Sequence, residues 1–310
     1  MGNLPPCRSQ QGYCFQQVGI DFGGPFLIKE NRRRNARVSK AYICLFICLS
    51  VKAVHLELVS ELSKEAFIAA LDRFVSRRGI CQHIVTDCGT NFVGAGRLEE
   101  MVKLLIDKKQ DISDQLTSRG ISWKLNPPSA PHFGGIFESG IKCTKYYLKR
   151  VIGSQVLTFE ELTTLLTKVE AMLNSRPICQ LSSDPGEVDV LTTGHFIIGR
   201  PLVALPEPSL EDMNPRTRWQ LLQKLSQSFW RIWQNDYLHT LQQKVKWFKD
   251  PNISQLVSII EPNLPPNEWR LGRVVQIHPG KDNTIRVVTL KTIRGLLTRP
   301  VVKVCPLPLD

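Results

Sequence analysis

Residues 16–29 read QQVGIDFGGPFLIK, and the fold of the first half of the chain hangs on how this stretch is placed. It reads as a strand that ends in a Gly-Gly-Pro turn, since apolar residues bounded by Gly and Pro are strand chemistry. Working outward, Lys40 to Leu58 reads as two more strands rich in Ile, Val and Leu, with NRRRNAR at 31–37 as a hairpin loop before them. Ser63 supplies an N-cap for the amphipathic run EAFIAALDRFVSRRG, which stops at Gly79. QHIVTD at 82–87 is a short strand, Arg97 to Asp107 has helical periodicity, and Ile121 to Leu125 is a fifth strand broken by Pro127-Pro128. Phe137–Val151 and Phe159–Asn174 space apolar residues by three and four, so two helices follow. The order βββαβαβ with trailing helices predicts a three-layer α/β domain with a mixed five-stranded sheet.

Pro and Gly thicken through Leu181–Pro215, which predicts a linker of limited regular structure and a domain boundary near 205–215. Arg216 to Trp247 is one long helical pattern carrying Trp219, Trp230, Trp233 and Trp247, whose spacing favours packing over base stacking. LVSIIEP, WRLGRVVQIHPG, TIRVVTLKT and LLTRPVVKV alternate at period two between turns, the pattern of a small antiparallel β-barrel. The expected division is therefore 1–12 as linker remnant, 13–205 as the α/β core, 206–215 as linker and 216–310 as helix plus barrel.

At 310 residues the chain has room for about two domains. The composition, 42% hydrophobic and 22% charged, excludes disordered, collagen-like and coiled-coil classes. The longest apolar run, AYICLFICLSV at 41–51, has 11 residues against the ~20 a spanning helix needs, so no membrane partner is expected. MGNLPPCRSQQG lacks the basic and apolar segments of a secretory signal. The nine cysteines show no paired CxxC rhythm and read as reduced thiols; Cys44 and Cys48, four apart in a strand-like run, read as buried. The net charge of +12 is unevenly spread: Lys/Arg against Asp/Glu number 22 to 13 in 1–150, 3 to 7 in 151–210 and 15 to 8 in 211–310. Two basic segments flank an acidic one, which makes a polyanion the leading partner class.

Three acids fall at the centre or ends of expected elements: Asp21 in GIDFGGP, Asp87 in VTDCGTNF and Glu138 in PHFGGIFE. In a basic domain, converging carboxylates repel unless hard cations hold them. Two Mg²⁺ ions ~3.5–4 Å apart meet that need and also clamp the attacking and leaving oxygens of a phosphodiester. Lys142, Lys145 and Lys149 lie four, seven and eleven residues beyond Glu138 on the same helix face, with no acid among the residues between them, and are assigned to the DNA backbone.

VGIDFGGP, VTDCGTNFVGA and PPSAPHFGGIFESGIK together resemble the DDE catalytic core of retroelement integrases, most closely those of the BEL/Pao LTR retrotransposons. LNSRPI at 173–178 and LTTGHFIIGRPL at 191–202 extend the resemblance, and the stretch from RTRWQLLQKLSQSFWRIWQNDYL to TRPVVKVCPLP is similar to the uncharacterised domain that follows that core. The resemblance implies an RNase H-like fold, two Mg²⁺ or Mn²⁺ ions, DNA 3′-end processing and strand transfer, a homo-oligomer on element ends and target DNA, and action in the nucleus after cytoplasmic transit. By motif, Asp21 would bridge both metals, with Asp87 and Glu138 holding one each.

Three positions depart from that motif: Cys88 where Asn is usual, Ser139 where a small apolar residue is usual, and Gly194 where Pro or Ala is usual. That family carries a His/Cys zinc domain ahead of the core, and this chain opens in the stretch that ordinarily follows it. Two other readings stay open, a catalytically decayed or host-recruited DNA- or chromatin-binding protein and a nuclease that cuts without joining. Secondary nucleic-acid candidates are His132 and Asn91 in loops, the Arg32-Arg33-Arg34 run with Arg37, which also suits a nuclear localisation signal, and the barrel arginines Arg270, Arg273, Arg286 and Arg299. His132 equally suits a loop-ordering hydrogen bond and Asn91 a turn amide, the arginine run a solvated hairpin tip, and Gly134-Gly135 give a loop room to close over a DNA end.

Overall fold

In the computed structural model, residues 12–86, 109–125, 131–182, 184, 187–210, 212–242, 252–262, 264–282 and 284–307 are described. They form two compact units, Met1–Leu173 and Asn174–Asp310. The helix expected over Arg97–Asp107 lies outside the described residues, as does Trp247.

The first unit contains β1 (Gln17–Lys29), β2 (Val38–Cys48), β3 (Val54–Val59), α1 (Lys64–Arg78), β4 (His83–Thr86), α2 (Lys109–Ser118), β5 (Ser122–Leu125), α3 (Pro131–Ile152), β6 (Leu157–Thr158) and α4 (Phe159–Asn174). The sheet order is β3-β2-β1-β4-β5. β1, β2 and β3 are antiparallel neighbours, while β4 runs parallel to β1 and β5 parallel to β4. This is the mixed-sheet α/β architecture of an RNase H-like core.

β1 differs from its sequence reading. It does not stop at Gly23-Gly24-Pro25 but runs on to Lys29, with a cis Gly24–Pro25 peptide and a register shift between Gly23 and Phe26. Pro25 has no N–H to give the ladder, so a local shift accommodates it without ending the strand. Before the shift β1 pairs with β4, ending at Ile20 opposite Thr86; after it, Ile28 and Lys29 pair with β6, a sixth strand of two residues.

Alternation assigns the two faces of β1. Val18, Ile20 and Phe22 are buried on the side of α1, where the Phe22 and Phe67 rings lie 6.3 Å apart. Gly19 and Gly23 meet Phe137 and Ile141 of α3, so that helix covers the opposite face. Covered on both sides, β2 is buried at every residue from Ala41 to Cys48, which explains the long apolar run as a central strand. Ser63 caps α1 as its position predicts, its hydroxyl accepting from Ala66 N at 3.1 Å.

β3 carries an ionic cluster into this core. Glu57, 5% exposed, accepts from Arg73 Nε at 2.5 Å and Arg77 Nη1 at 2.9 Å on α1. His55, 1% exposed, contacts Glu57 Oε1 at 3.1 Å through Nε2 and Glu170 Oε2 on α4 at 3.3 Å through Nδ1. Arg78 pairs with Glu170, whose carboxylate also accepts Leu56 N–H at 2.8 Å.

In the second unit β7 (Pro177–Gln180) and β8 (Val190–Thr192) form a short hairpin, followed by α5 (Thr193–Ile198) and the long α6 (Arg218–Leu241). Then come β9 (Leu256–Ile259), β10 (Leu271–Pro279), β11 (Ile285–Thr292), β12 (Gly295–Pro300) and β13 (Val304–Pro306). They make one antiparallel sheet of order β12-β11-β10-β9-β13. β12 and β13 end that path, and no pair between them closes a barrel among the described residues. Residues from 174 onward belong to this unit because they bond to it: Trp269 Nε1 reaches Ser175 Oγ at 3.2 Å and Tyr237 Oη reaches Pro177 O at 2.9 Å. Trp230 and Trp233 of α6 pack with Tyr237 and Trp269, ring centroids 5.1–5.9 Å apart. Trp219, on the same helix, is 55% exposed.

Burial pushes the His55 pKa down, but its bonds to Glu170 and Glu57 outweigh this and raise it above 6.5; burial pushes Glu57 up, but His55 and Arg73 outweigh this and lower it below 4.5. The His55 contribution to stability is therefore complete below pH ~6.5 and lost as pH rises through the raised value. The Glu57 contribution is present above its unfolded value and lost as pH falls through the lowered one. In thermal unfolding, His55→Gln is expected to remove the decline in stability on the alkaline side. Glu57→Gln is expected to cost about 2 kcal/mol near neutrality, below the ~3–5 kcal/mol of a fully buried pair because Arg73 and Arg77 are partly solvated.

Candidate functional site

Asp21 sits on the α3 face of β1, half-buried, one residue beyond the last pairing with β4. Its neighbours on that face are Gly19 and Gly23, and both are glycine for a steric reason. A Cβ at Gly19 would fall 2.3 Å from Phe137 Cδ1, and one at Gly23 would fall 2.8 Å from Ile141 Cδ1. Gly140 plays the same part on the helix, where a Cβ would meet Leu45 Cδ2 of β2 at 3.1 Å. The helix is thus drawn onto the strand directly beside Asp21, and Glu138 follows Phe137 on it. The sequence holds a signal for this approach in Gly-x-Asp-x-Gly, a period-two glycine pair around an acid.

Asp21 Oδ1 accepts Phe22 N–H at 2.7 Å. Glu138, with its side chain 23% exposed, accepts from Lys142 Nζ at 2.8 Å. Lys142 therefore has an acidic partner on its own helix face, in the acid it was expected to flank. Lys145 is half-buried, and its stem lies 4.0 Å from the position of a Gly23 Cβ. Burial and repulsion from Lys149 and Lys142 lower its pKa, while the Asp21 carboxylate opposes them. Asp21 and Glu138 thus share the β1–α3 interface with two lysines as countercharges, and Lys149 continues the face, exposed.

Asp87 follows Thr86 in sequence but lies outside the described residues, and Asn91 does also. Among the described residues no group of three or more His, Cys, Asp or Glu side chains could hold a metal ion. α3 begins at Pro131, six residues before the expected start, because Pro fits the first turn of a helix. His132 and Gly134-Gly135 therefore belong to the helix and not to a loop that closes over DNA; the His132 side chain lies outside the described residues.

Arg32, Arg33, Arg34 and Arg37 are exposed in the β1–β2 loop as expected, and Arg32 Nε pairs with the buried Glu161 at 3.2 Å. Arg273 is corrected. It is 3% exposed, its guanidinium donating to Gln180 Oε1, Ser254 O and Glu187 O, so it ties β10 to residues 180–187 instead of facing a phosphate. Arg270 pairs with Glu261 and Arg286 with Asp282, so part of the basic charge of this unit is neutralised within it.

Among known proteins, a family of unknown function, DUF5641, matches residues 217–307. No curated protein matches the chain. Similar solved structures include an intasome of simian T-cell lymphotropic virus, 12% identical over 96% of this chain and 81% of that one, with a TM-score of 0.41. The HTLV-2 integrase catalytic core in complex with magnesium is 16% identical over 52% of this chain and 88% of its own, with a TM-score of 0.33. The BIV integrase catalytic core is 14% identical over 60% of this chain and 95% of its own, with a TM-score of 0.37.

The close approach is testable. Gly19→Ala is expected to lose 2–3 kcal/mol, roughly the cost of overpacking a close-packed interface. In denaturant titration, Phe137→Leu should return part of that loss in the double variant, and additivity of the two changes would show that they do not meet.

Proposed function

We propose that this chain is a retroelement integrase of the BEL/Pao type, a metal-dependent polynucleotidyl transferase that processes DNA 3′ ends and joins them to target DNA. The observation that carries the proposal is the position of Asp21, flanked by the two glycines that admit α3 and its Glu138. Asp87 would complete the set from the chain that leaves β4, which is parallel to β1 and in register with it up to Thr86. Sites in α/β sheets form at the carboxyl ends of parallel strands; Asp21 lies one residue beyond the last β1–β4 pair, and Asp87 follows Thr86, the last residue of β4, in sequence.

The donor set suits a hard divalent cation. Asp21 and Glu138 offer carboxylate oxygens, and each already attracts a lysine ammonium. Two Mg²⁺ or Mn²⁺ ions held by Asp21, Asp87 and Glu138 would activate the attacking oxygen and stabilise the leaving 3′-oxygen. The protein's own residues do the rest. Lys142, Lys145 and Lys149, on the helix face that carries Glu138, would contact backbone phosphate. Arg33 and Arg34 widen the basic surface. The assembly would be a homo-oligomer on element ends and target DNA in the nucleus, with 13–205 as the core and 216–310 as an appended nucleic-acid module.

A non-catalytic DNA-binding role is the second reading, favoured by Cys88 in the position where the family motif has Asn. A disintegration assay separates the two, using branched DNA that mimics the joined product with Mn²⁺ or Mg²⁺. Wild type is expected to resolve the branch only with metal, while Asp87→Asn and Glu138→Gln lose more than ~100-fold and keep salt-sensitive DNA binding. Equal resolution by Asp87→Asn overturns the assignment. A folded wild type that binds DNA but yields no product establishes the second reading.

A further inference from the structure

The turn that leads into β1 holds two sulfurs together. Gln16 N–H donates to Tyr13 O at 3.1 Å, and Phe15 within this turn has φ 68°, a left-handed conformation that a bulky residue seldom adopts. Its contacts explain why it stays there. The Phe15 ring is 2% exposed and packs edge-on against Phe74 at 5.3 Å, and its N–H donates to Cys48 Sγ at 3.2 Å. Tyr13 Oη anchors the other side of the turn on Ile80 O at 3.0 Å.

So fixed, the turn presents Cys14, half-buried, beside Cys48 at the buried end of β2, whose sulfur accepts the N–H of the next residue, Phe15. Ser50 Oγ, 3.2 Å away, and the N–H of Val51 also converge on Cys48. Polar groups converging on one sulfur favour its thiolate. Interaction with Cys14, with help from these groups, lowers the Cys48 pKa against its burial, while the same interaction and burial raise that of Cys14. Other buried thiols behave oppositely, burial pushing Cys81 up to about 11 and Cys305 up to about 12. Of the pair, Cys48 is the inner, buried sulfur and Cys14 the one that solvent reaches.

We propose that Cys14 and Cys48 form a reversible intramolecular disulfide on exposure to a small-molecule disulfide such as oxidised glutathione. Cys14 sulfur attacks one sulfur of the reagent as its proton passes to Cys48. The Cys14–glutathione bond forms, the reagent's S–S bond breaks, and the first glutathione leaves as thiolate and takes a proton from solvent. Cys48 then loses its proton and attacks Cys14 sulfur, expelling the second glutathione, which also leaves protonated. Two protein thiols are oxidised and one small disulfide is reduced to two thiols. Closure needs the sulfurs to approach to ~2.05 Å, a motion within reach of the short turn. The bond ties the start of β1 to the end of β2, a modification independent of the reaction proposed above.

The full chain is equilibrated in mixtures of reduced and oxidised glutathione and examined by intact mass and non-reducing peptide mapping. Wild type is expected to lose two hydrogen atoms, to yield one cross-linked peptide containing Cys14 and Cys48, and to gain several degrees in Tm that reductant reverses. Cys14→Ser should form no cross-link and show no such gain. Cys48→Ser should trap a glutathione on Cys14; should it not fold, Cys14→Ser decides the matter. A different cross-linked pair, or Cys14 and Cys48 unlinked while other thiols are modified, overturns the proposal.

Discussion

The approach of α3 to the glycine-lined face of β1 is the constraint on which the first unit depends. A helix packed at ordinary distance would leave Glu138 remote from the strand that carries Asp21. Gly19 and Gly23 remove side chains from the sheet, and Phe137 and Ile141, 0% and 5% exposed, fill the space from the helix. The opposite face is built the other way, with Phe22, Phe46, Phe67 and Phe74 supplying bulk from both sheet and helix. One side of the sheet is thick and purely structural. The other is thin, and thinness lets two acids share one interface.

Both faces also carry carboxylates with cations, and access separates their roles. Glu57 and Glu170 are buried with His55 and the α1 arginines, where pairing offsets the cost of burial. Asp21 and Glu138 lie where solvent still reaches, Glu138 paired with Lys142 and Asp21 in the field of the Lys145 ammonium. An arginine fork fixes a carboxylate; a lysine ammonium is more readily exchanged for another cation. The residue types on each face follow from that difference.

Most of the first unit was legible in the sequence because its signals are local. Ser63 and Gly79 bracket α1, most of the apolar run at 41–51 becomes β2, and Asp21 and Glu138 fall in a strand and a helix as read. What failed depended on contacts distant in sequence. Nothing local says that β1 survives Gly-Gly-Pro, since it is β6, more than a hundred residues on, that pairs with its far end. Arg273 read as a surface cation because Gln180 and Glu187, the residues that enclose it, are also remote. The His55 cluster was missed for the same reason. Its partners come from a strand and two helices, and no spacing rule joins them.

The aromatic cluster of the second unit gives the molecule an optical asymmetry. Of six tryptophans, only Trp123 belongs to the first unit, where its Nε1 is bonded to Thr86 Oγ1 at 3.0 Å. Trp230, Trp233 and Trp269 lie close enough for their excited states to mix. Their coupled near-ultraviolet dichroism is a signature of the second unit's packing alone. Loss of that signal while the backbone dichroism of the first unit persists would resolve the unfolding of the two halves in an unlabelled chain.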